Sequence, residues 1–118
     1  MVLTRVLFAM AGAVWLVALA SAQPTQPKTV RISAERFAFT PSQIVVERGS
    51  TVEFHLTSED TNHGFHIVGT DVNVRIPKRR RGETVVRYVA ETAGRFTIEC
   101  SRPCGAGHTA MQASLVVK

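Results

Sequence analysis

Beyond residue 28 the chain is built from short stretches in which apolar and polar residues alternate. Val52, Phe54 and Leu56 show the pattern, because side chains two residues apart point to the same face of a strand. No window of helical length carries an apolar stripe, so the pattern predicts an all-β domain, a sandwich or small barrel, with no second domain. Strands are expected at Val30–Ile32, Phe37–Phe39, Ile44–Val46, Val52–Leu56, His63–Ile67, Asn73–Ile76, Thr84–Val89, Arg95–Glu99 and Ser114–Val117, with turns marked by Pro41, Gly49, Gly64, Pro77, Gly82 and Gly94.

The first 22 residues show a different pattern, which is typical of a secretory signal. An early Arg5 is followed by an apolar stretch from Val6 to Ala20, and Ala20-Ser21-Ala22 offers small residues for cleavage. The stretch is shorter than the ~20 residues of a membrane span. We therefore expect export and cleavage after Ala22, with a short membrane anchor as the alternative. Residues 23–28 are predicted to be a flexible leader, residues 29–118 the folded domain, and the location periplasmic or otherwise extracytoplasmic.

Size and charge narrow the classes of function. Without the signal, 96 residues remain, enough for one small domain, and their 13 Lys and Arg against 9 Asp and Glu give a formal net charge of +4. Four of the cations form a basic run, Lys78–Arg81. The run is interpreted either as a solvated loop between strands or as a docking patch for an acidic redox partner or an anionic membrane. Nucleic acid is not an expected partner, because no aromatic residue interleaves the run.

Two cysteines near the C-terminus lie in a loop rich in metal-binding residues. The sequence Cys100-Ser-Arg-Pro-Cys104-Gly-Ala-Gly-His108-Thr-Ala-Met111 places two thiols, an imidazole and a thioether in twelve residues. These soft and borderline donors favour copper, whereas a zinc site rarely recruits Met. A disulfide would explain Cys100 and Cys104 but leaves His108 and Met111 unexplained. Met111 is a stronger ligand candidate because the other two methionines lie within the signal.

Strand register separates the four histidines. Cys100 lies in phase with the apolar residues of its strand, which directs the first thiol toward the core. His63 lies in phase with Phe65 in the same way and is predicted to be a ligand. His66 falls on the opposite face from His63, and His55 alternates with apolar neighbours, so both are predicted to be surface histidines.

Three segments together resemble a known family. The run Ser58-Glu-Asp-Thr-Asn-His-Gly-Phe65, the later Thr92-Ala-Gly-Arg-Phe96 and the Cys-x3-Cys-Gly-Ala-Gly-His-x2-Met loop are similar to the CuA domain of cytochrome c oxidase subunit II, a cupredoxin. The resemblance covers essentially all of residues 29–118. It implies a Greek-key β-fold and a dinuclear copper centre in which both thiolates bridge the two ions.

The resemblance also implies a role for each ligand. Cys100 and Cys104 would bridge, and His63 and His108 would supply the imidazoles. Met111 would be a weak ligand to one copper. The backbone carbonyl of Arg102 would be a weak ligand to the other.

The resulting hypothesis is an exported carrier of single electrons. Its expected partners are a c-type cytochrome or a terminal oxidase or reductase. No catalytic residue is predicted, because a fully ligated site has no open position for a substrate. A copper storage or delivery module and an accessory subunit of an oxidase complex remain as alternatives. Arg102 stands where the family commonly has a Glu that helps hold magnesium, which favours a free-standing relative.

Overall fold

The computed structural model describes residues 12–20 and 26–118 of the chain. In this part the regular elements are nine strands and one short 3-10 turn, which confirms the all-β prediction. The strands are β1 (Lys28–Glu35), β2 (Ala38–Thr40), β3 (Gln43–Val46), β4 (Thr51–Ser58), β5 (His63–Ile67), β6 (Asn73–Ile76), β7 (Thr84–Val89), β8 (Gly94–Glu99) and β9 (Gln112–Val117), and the 3-10 turn His108–Ala110 precedes β9.

The strands form two mixed sheets. One has the order β2-β1-β4-β7 and the other the order β3-β9-β8-β5-β6. The pairs β1/β4 and β3/β9 are parallel, and the other pairs are antiparallel. Because β5 runs antiparallel to β8, the beginning of β5 and the end of β8 lie at the same end of the sheet. This arrangement brings His63 and Cys100 together.

The inward-facing side chains of the two sheets form one core. Phe54, Leu56 and Phe65 are fully buried between the sheets. The ring of Phe65 lies 5.2 Å from that of Phe54 and meets that of Phe39 edge-on at 6.0 Å. Such aromatic contacts are favourable beyond the area they bury. The core therefore fixes β4 and β5, the two strands on either side of the loop that leads to His63.

Two local predictions from the sequence were wrong. Phe37 was expected to share a strand face with Phe39, but it lies in the turn between β1 and β2 with 38% of its surface exposed. Gly64 was expected to mark a turn, but it lies within β5. A Cβ atom at Gly64 would come within 2.8 Å of the Ser101 nitrogen and 2.9 Å of the Arg102 nitrogen. The glycine is needed for close backbone packing.

The N-terminal predictions fall mostly outside the described residues. Residues 1–11 and 21–25, which include the expected cleavage site after Ala22, are not described. Residues 12–20 are exposed and form no regular secondary structure, and β1 begins at the end of the predicted leader. In the described part of the chain, no helix has the length and apolar character needed to cross a membrane.

Candidate metal centre

All of the donors predicted from the sequence lie at one end of the sandwich. His63 opens β5, Cys100 directly follows β8, and the loop from Cys100 to Met111 connects β8 to β9. The Cys100 N–H donates to the Met111 carbonyl at 3.1 Å, which closes the loop at its base. The loop therefore returns its own donors to the strand end from which it started. We call residues 100–111 the ligand loop.

The two thiols form the centre of the cluster, and each has its own set of neighbours. The Sγ atoms of Cys100 and Cys104 are 3.8 Å apart. Cys100 Sγ lies 3.9 Å from Nδ1 of His63 and 3.1 Å from the carbonyl oxygen of Arg102. Cys104 Sγ lies 3.8 Å from Nδ1 of His108 and 3.8 Å from Sδ of Met111. Each sulfur is thus accompanied by one imidazole nitrogen and one weaker donor.

This donor set fits copper. Both cysteines are free and buried, and their sulfurs are much further apart than the ~2.05 Å of a disulfide. The ligand atoms of His63, Cys100 and Cys104 lie within 4.8 Å of one another. Soft sulfur donors beside neutral imidazoles are the set that copper prefers.

Burial keeps the proton on the Cys104 thiol. Cys104 is only 6% exposed, and this burial raises the pKa of its thiol to about 11, with the neighbouring Cys100 adding to the rise. A thiol with such a pKa carries its proton near neutral pH. A metal ion that binds the sulfur must displace this proton.

Asp60 orients the first imidazole. The side chain of His63 is fully buried, and its Nε2 lies 2.7 Å from Oδ1 of Asp60. Burial alone would raise the pKa of Asp60, but hydrogen bonds from the Arg36 N–H, from His63 and from the Thr61 N–H outweigh it and lower the pKa to about 2. Because the carboxylate can only accept, His63 Nε2 donates and the lone pair of Nδ1 faces the Cys100 sulfur. This is the tautomer that binds a metal through Nδ1.

Arg36 connects this carboxylate to the ligand loop. Its backbone N–H donates to Oδ2 of Asp60 at 2.9 Å, and its side-chain Nε donates to the carbonyl of Cys104 at 2.7 Å. The ring of Phe37 lies against the loop, so closely that a Cβ at Gly107 would come within 2.6 Å of its Cγ. Sequence reasoning missed both Asp60 and Arg36. The position of Asp60 three residues before His63 was a usable signal, whereas Arg36 had none because it is 68 residues from Cys104.

His55 and His66 are not among the residues whose ligand atoms group around the thiols, although His66 lines a cavity together with Cys100, His108 and Met111. His55 contacts Glu53 at 2.8 Å and Glu83 at 3.3 Å, and its side chain is 16% exposed. His66 Nδ1 lies 3.0 Å from a carboxylate oxygen of Glu99, and its side chain is 23% exposed. Both histidines are therefore partly exposed, carboxylate-paired groups.

The chain is similar to known copper-protein domains. The pattern of the cupredoxin-like domain family matches residues 8–117. Cytochrome c oxidase subunit 2 of Thermus thermophilus is 40% identical over 91 residues, which cover 76% of this chain and 65% of that protein. For a second Thermus thermophilus protein of the same name, also 40% identical over 91 residues, the covered share is 52%. The chain thus spans between about half and two thirds of the length of these curated relatives.

Solved structures show the same fold. A chain in the cryo-EM structure of a heme-copper terminal oxidase dimer is 28% identical with a TM-score of 0.69, and the match covers 85% of this chain and 76% of that one. The periplasmic domain of subunit II of cytochrome oxidase of Bradyrhizobium japonicum is 17% identical with a TM-score of 0.70, covering 80% of this chain and 86% of that domain. At that lower identity the likeness concerns the fold alone.

Proposed function

The chain belongs to the cupredoxin-like domain family, and we propose that it is an exported copper protein that carries single electrons through a dinuclear centre of the CuA type. Its similarity to cytochrome c oxidase subunit 2 supports both the kind of centre and a location outside the cytoplasm. A donor such as a c-type cytochrome loses one electron to the domain, and a terminal oxidase or reductase receives it. Neither step transfers a proton or makes or breaks a covalent bond.

The observation that carries this proposal is the paired arrangement of donors around the two sulfurs. Cys100 has His63 and the Arg102 carbonyl beside it, while Cys104 has His108 and Met111. A single copper ion of the His2Cys type would need both imidazoles but only one thiolate, so one of the two thiols would have no metal to bind. Two thiols between two donor sets would instead provide for two metal ions that share both sulfurs.

The remaining residues keep this arrangement rigid and dry. Asp60 holds the proton of His63 on Nε2, and Arg36 ties the carbonyl of Cys104 to the β1–β2 turn. Cys100 and Met111 are 5% and 0% exposed, so water is kept from the sulfur donors. When bound, a copper pair held by Cys100 and Cys104 would supply a centre that gains and loses one electron with little rearrangement. A stiff scaffold suits such transfer because few atoms must move.

Copper reconstitution tests the proposal directly. We expect two copper ions per chain, because the cluster contains two bridging thiols and two complete sets of terminal donors. Metal analysis measures the ratio, and electron paramagnetic resonance shows whether the unpaired electron couples to two equivalent copper nuclei. A ratio of one, with coupling to a single nucleus, would contradict the dinuclear assignment and favour a mononuclear site.

The histidines offer a matched pair of variants. His63→Ala is expected to destroy the dinuclear signal, because it removes the imidazole nitrogen beside Cys100. His66→Ala removes an imidazole that is also carboxylate-paired but lies outside the cluster, so the copper content and the spectrum should stay unchanged. Copper titration followed by absorption and resonance spectra compares them. The reverse outcome, with His66 essential and His63 dispensable, would mean that the ligand assignment is wrong.

Met111→Leu should keep both copper ions but shift the absorption spectrum and the reduction potential, because a thioether is a weak ligand that tunes the centre more than it holds it.

A further inference from the structure

The basic run, Lys78–Arg81, lies at the same end of the sandwich as the candidate metal centre. It follows β6, whose last residue pairs with His63 in the sheet. One backbone N–H of the run donates to the carbonyl of Asp60 at 3.0 Å, and another donates to Oδ1 of Asn62 at 3.0 Å. The run is therefore packed against the loop that leads to His63.

The charges of the basic run have no partners in the described part of the chain. All four side chains are exposed, and none of them takes part in an ion pair there. The nearby carboxylates are engaged elsewhere, since Asp60 contacts His63 and Glu83 contacts His55. The run thus presents uncompensated positive charge beside the centre.

The backbone of Arg80 is strained. The Arg81 N–H donates to the Lys78 carbonyl at 3.0 Å, so residues 78–81 form a turn in which Arg80 has the third position. Its φ is 62°, a left-handed conformation that is usual for Gly or Asn and uncommon for a long side chain. An L-residue with a side chain is strained at this position because its Cβ crowds the following carbonyl oxygen. A cation kept where it is unfavourable for folding indicates that the charge itself is used.

The ligand loop is accessible from this end. Pro103, Ala106 and Ala110 are exposed, and His108 is half-buried. We propose that the basic run is the docking surface for an acidic one-electron redox protein, an inference that rests on the proposed function. The small apolar surface of the loop would form the centre of the contact and the cations part of its charged rim. The partner's redox centre loses one electron and the domain gains it, or the reverse.

The position of the basic run favours a protein partner over an anionic membrane. A membrane bound by Lys78–Arg81 would lie across the end of the sandwich that exposes the ligand loop, and it would block access to the centre. A protein partner uses the same contact to bring its own redox centre close. Charge of this kind acts mainly on the rate of encounter, which rises by on the order of 10- to 1,000-fold in steered complexes.

The test compares two triple variants of the copper-loaded full chain. Arg79→Gln/Arg80→Gly/Arg81→Gln removes three charges from the basic run. The control, Arg48→Gln/Arg95→Gln/Lys118→Gln, removes three charges from the opposite end of the sandwich, where the Arg48 N–H donates to the Lys118 carbonyl. The probe is a c-type cytochrome of net negative charge, and stopped-flow absorbance measures its electron exchange with each variant.

We expect the basic-run variant to associate about tenfold more slowly at low ionic strength, where the Debye length is about 30 Å, and to match the unmodified chain at about 1 M salt. The control variant should stay within about twofold of the unmodified chain. Arg80→Gly alone should slow association while the melting temperature stays the same or rises, because glycine relieves the strain. An equal loss in both triple variants would show that net charge alone matters, and would overturn the proposal.

A binding measurement separates this proposal from the proposed function. Adding the oxidised cytochrome to isotope-labelled chain should shift the NMR signals of residues 78–82, whatever the copper ratio proves to be. If copper analysis gave one ion but these signals shifted, docking would stand and the dinuclear carrier would fall. Binding of the run to phosphatidylglycerol vesicles, with no response to the cytochrome, would overturn the docking proposal.

Discussion

Replacing either cysteine with serine is expected to abolish copper binding of the dinuclear kind that we propose for this site. Cys100 and Cys104 lie between the two sets of donors, with their sulfurs 3.8 Å apart. The other sulfur in the cluster, Sδ of Met111, is a weak donor and cannot replace either thiol. A serine hydroxyl does not ionise near neutral pH and is too hard to bridge two copper ions. The copper ratio should fall from two to one or less, with loss of the two-nucleus resonance signal.

The cysteine prediction needs evidence that the variants fold. Both thiols are buried but lie outside the strands, and serine is slightly smaller than cysteine. The β-sandwich should therefore remain intact, which circular dichroism measures. Met111→Leu serves as the matched control, because it also removes a sulfur from the ligand loop but is expected to retain both ions. A Cys104→Ser chain that still bound two coupled copper ions would rule out bridging by that thiol.

Gly64→Ala is expected to damage both the stability and the centre. A Cβ at this position would lie 2.8 Å from the Ser101 nitrogen and 2.9 Å from the Arg102 nitrogen, and would also overlap the Ser101 hydroxyl. Since backbone atoms of the ligand loop cannot move aside without displacing Cys100, the loop must shift. Overpacking of this kind typically costs about 1–3 kcal/mol. Urea unfolding measures that loss, and copper titration should show weakened binding.

A double variant separates the side-chain and backbone contributions to the Gly64 effect. Ser101→Ala removes the hydroxyl that the new Cβ would overlap, at the cost of one hydrogen bond to Asn73. Gly64→Ala in that background should still lose most of its stability, because the two backbone nitrogens remain too close. Full recovery of stability and copper binding in the double variant would show that the side chain alone caused the clash.

The fold class and the list of candidate donors could be predicted from the sequence because both depend on local patterns. Alternation with a period of two indicated where the strands of residues 26–118 lie, since it reflects which residues face the core. The predictions failed where long-range packing replaced the local rule. Phe37 lies in the β1–β2 turn, where its ring contacts the ligand loop. Gly64 lies inside β5, where the lack of a Cβ lets the backbone of the ligand loop pass close to it.

The sequence by itself determined which soft donors the chain contains and that four of them lie in one short loop. Only the tertiary structure decided how they pair, because His63 meets Cys100 across 37 residues through the contact of β5 with β8. The same holds for Asp60 and Arg36, whose hydrogen bonds join the β1–β2 turn, the loop before β5 and the ligand loop. The position of the basic run also depends on the tertiary structure, because the connection from β6 to β7 places the run beside the centre. Spacing along a chain reports neighbours within a strand or loop, whereas the partners of a donor are set by which strands lie side by side in the folded sheets.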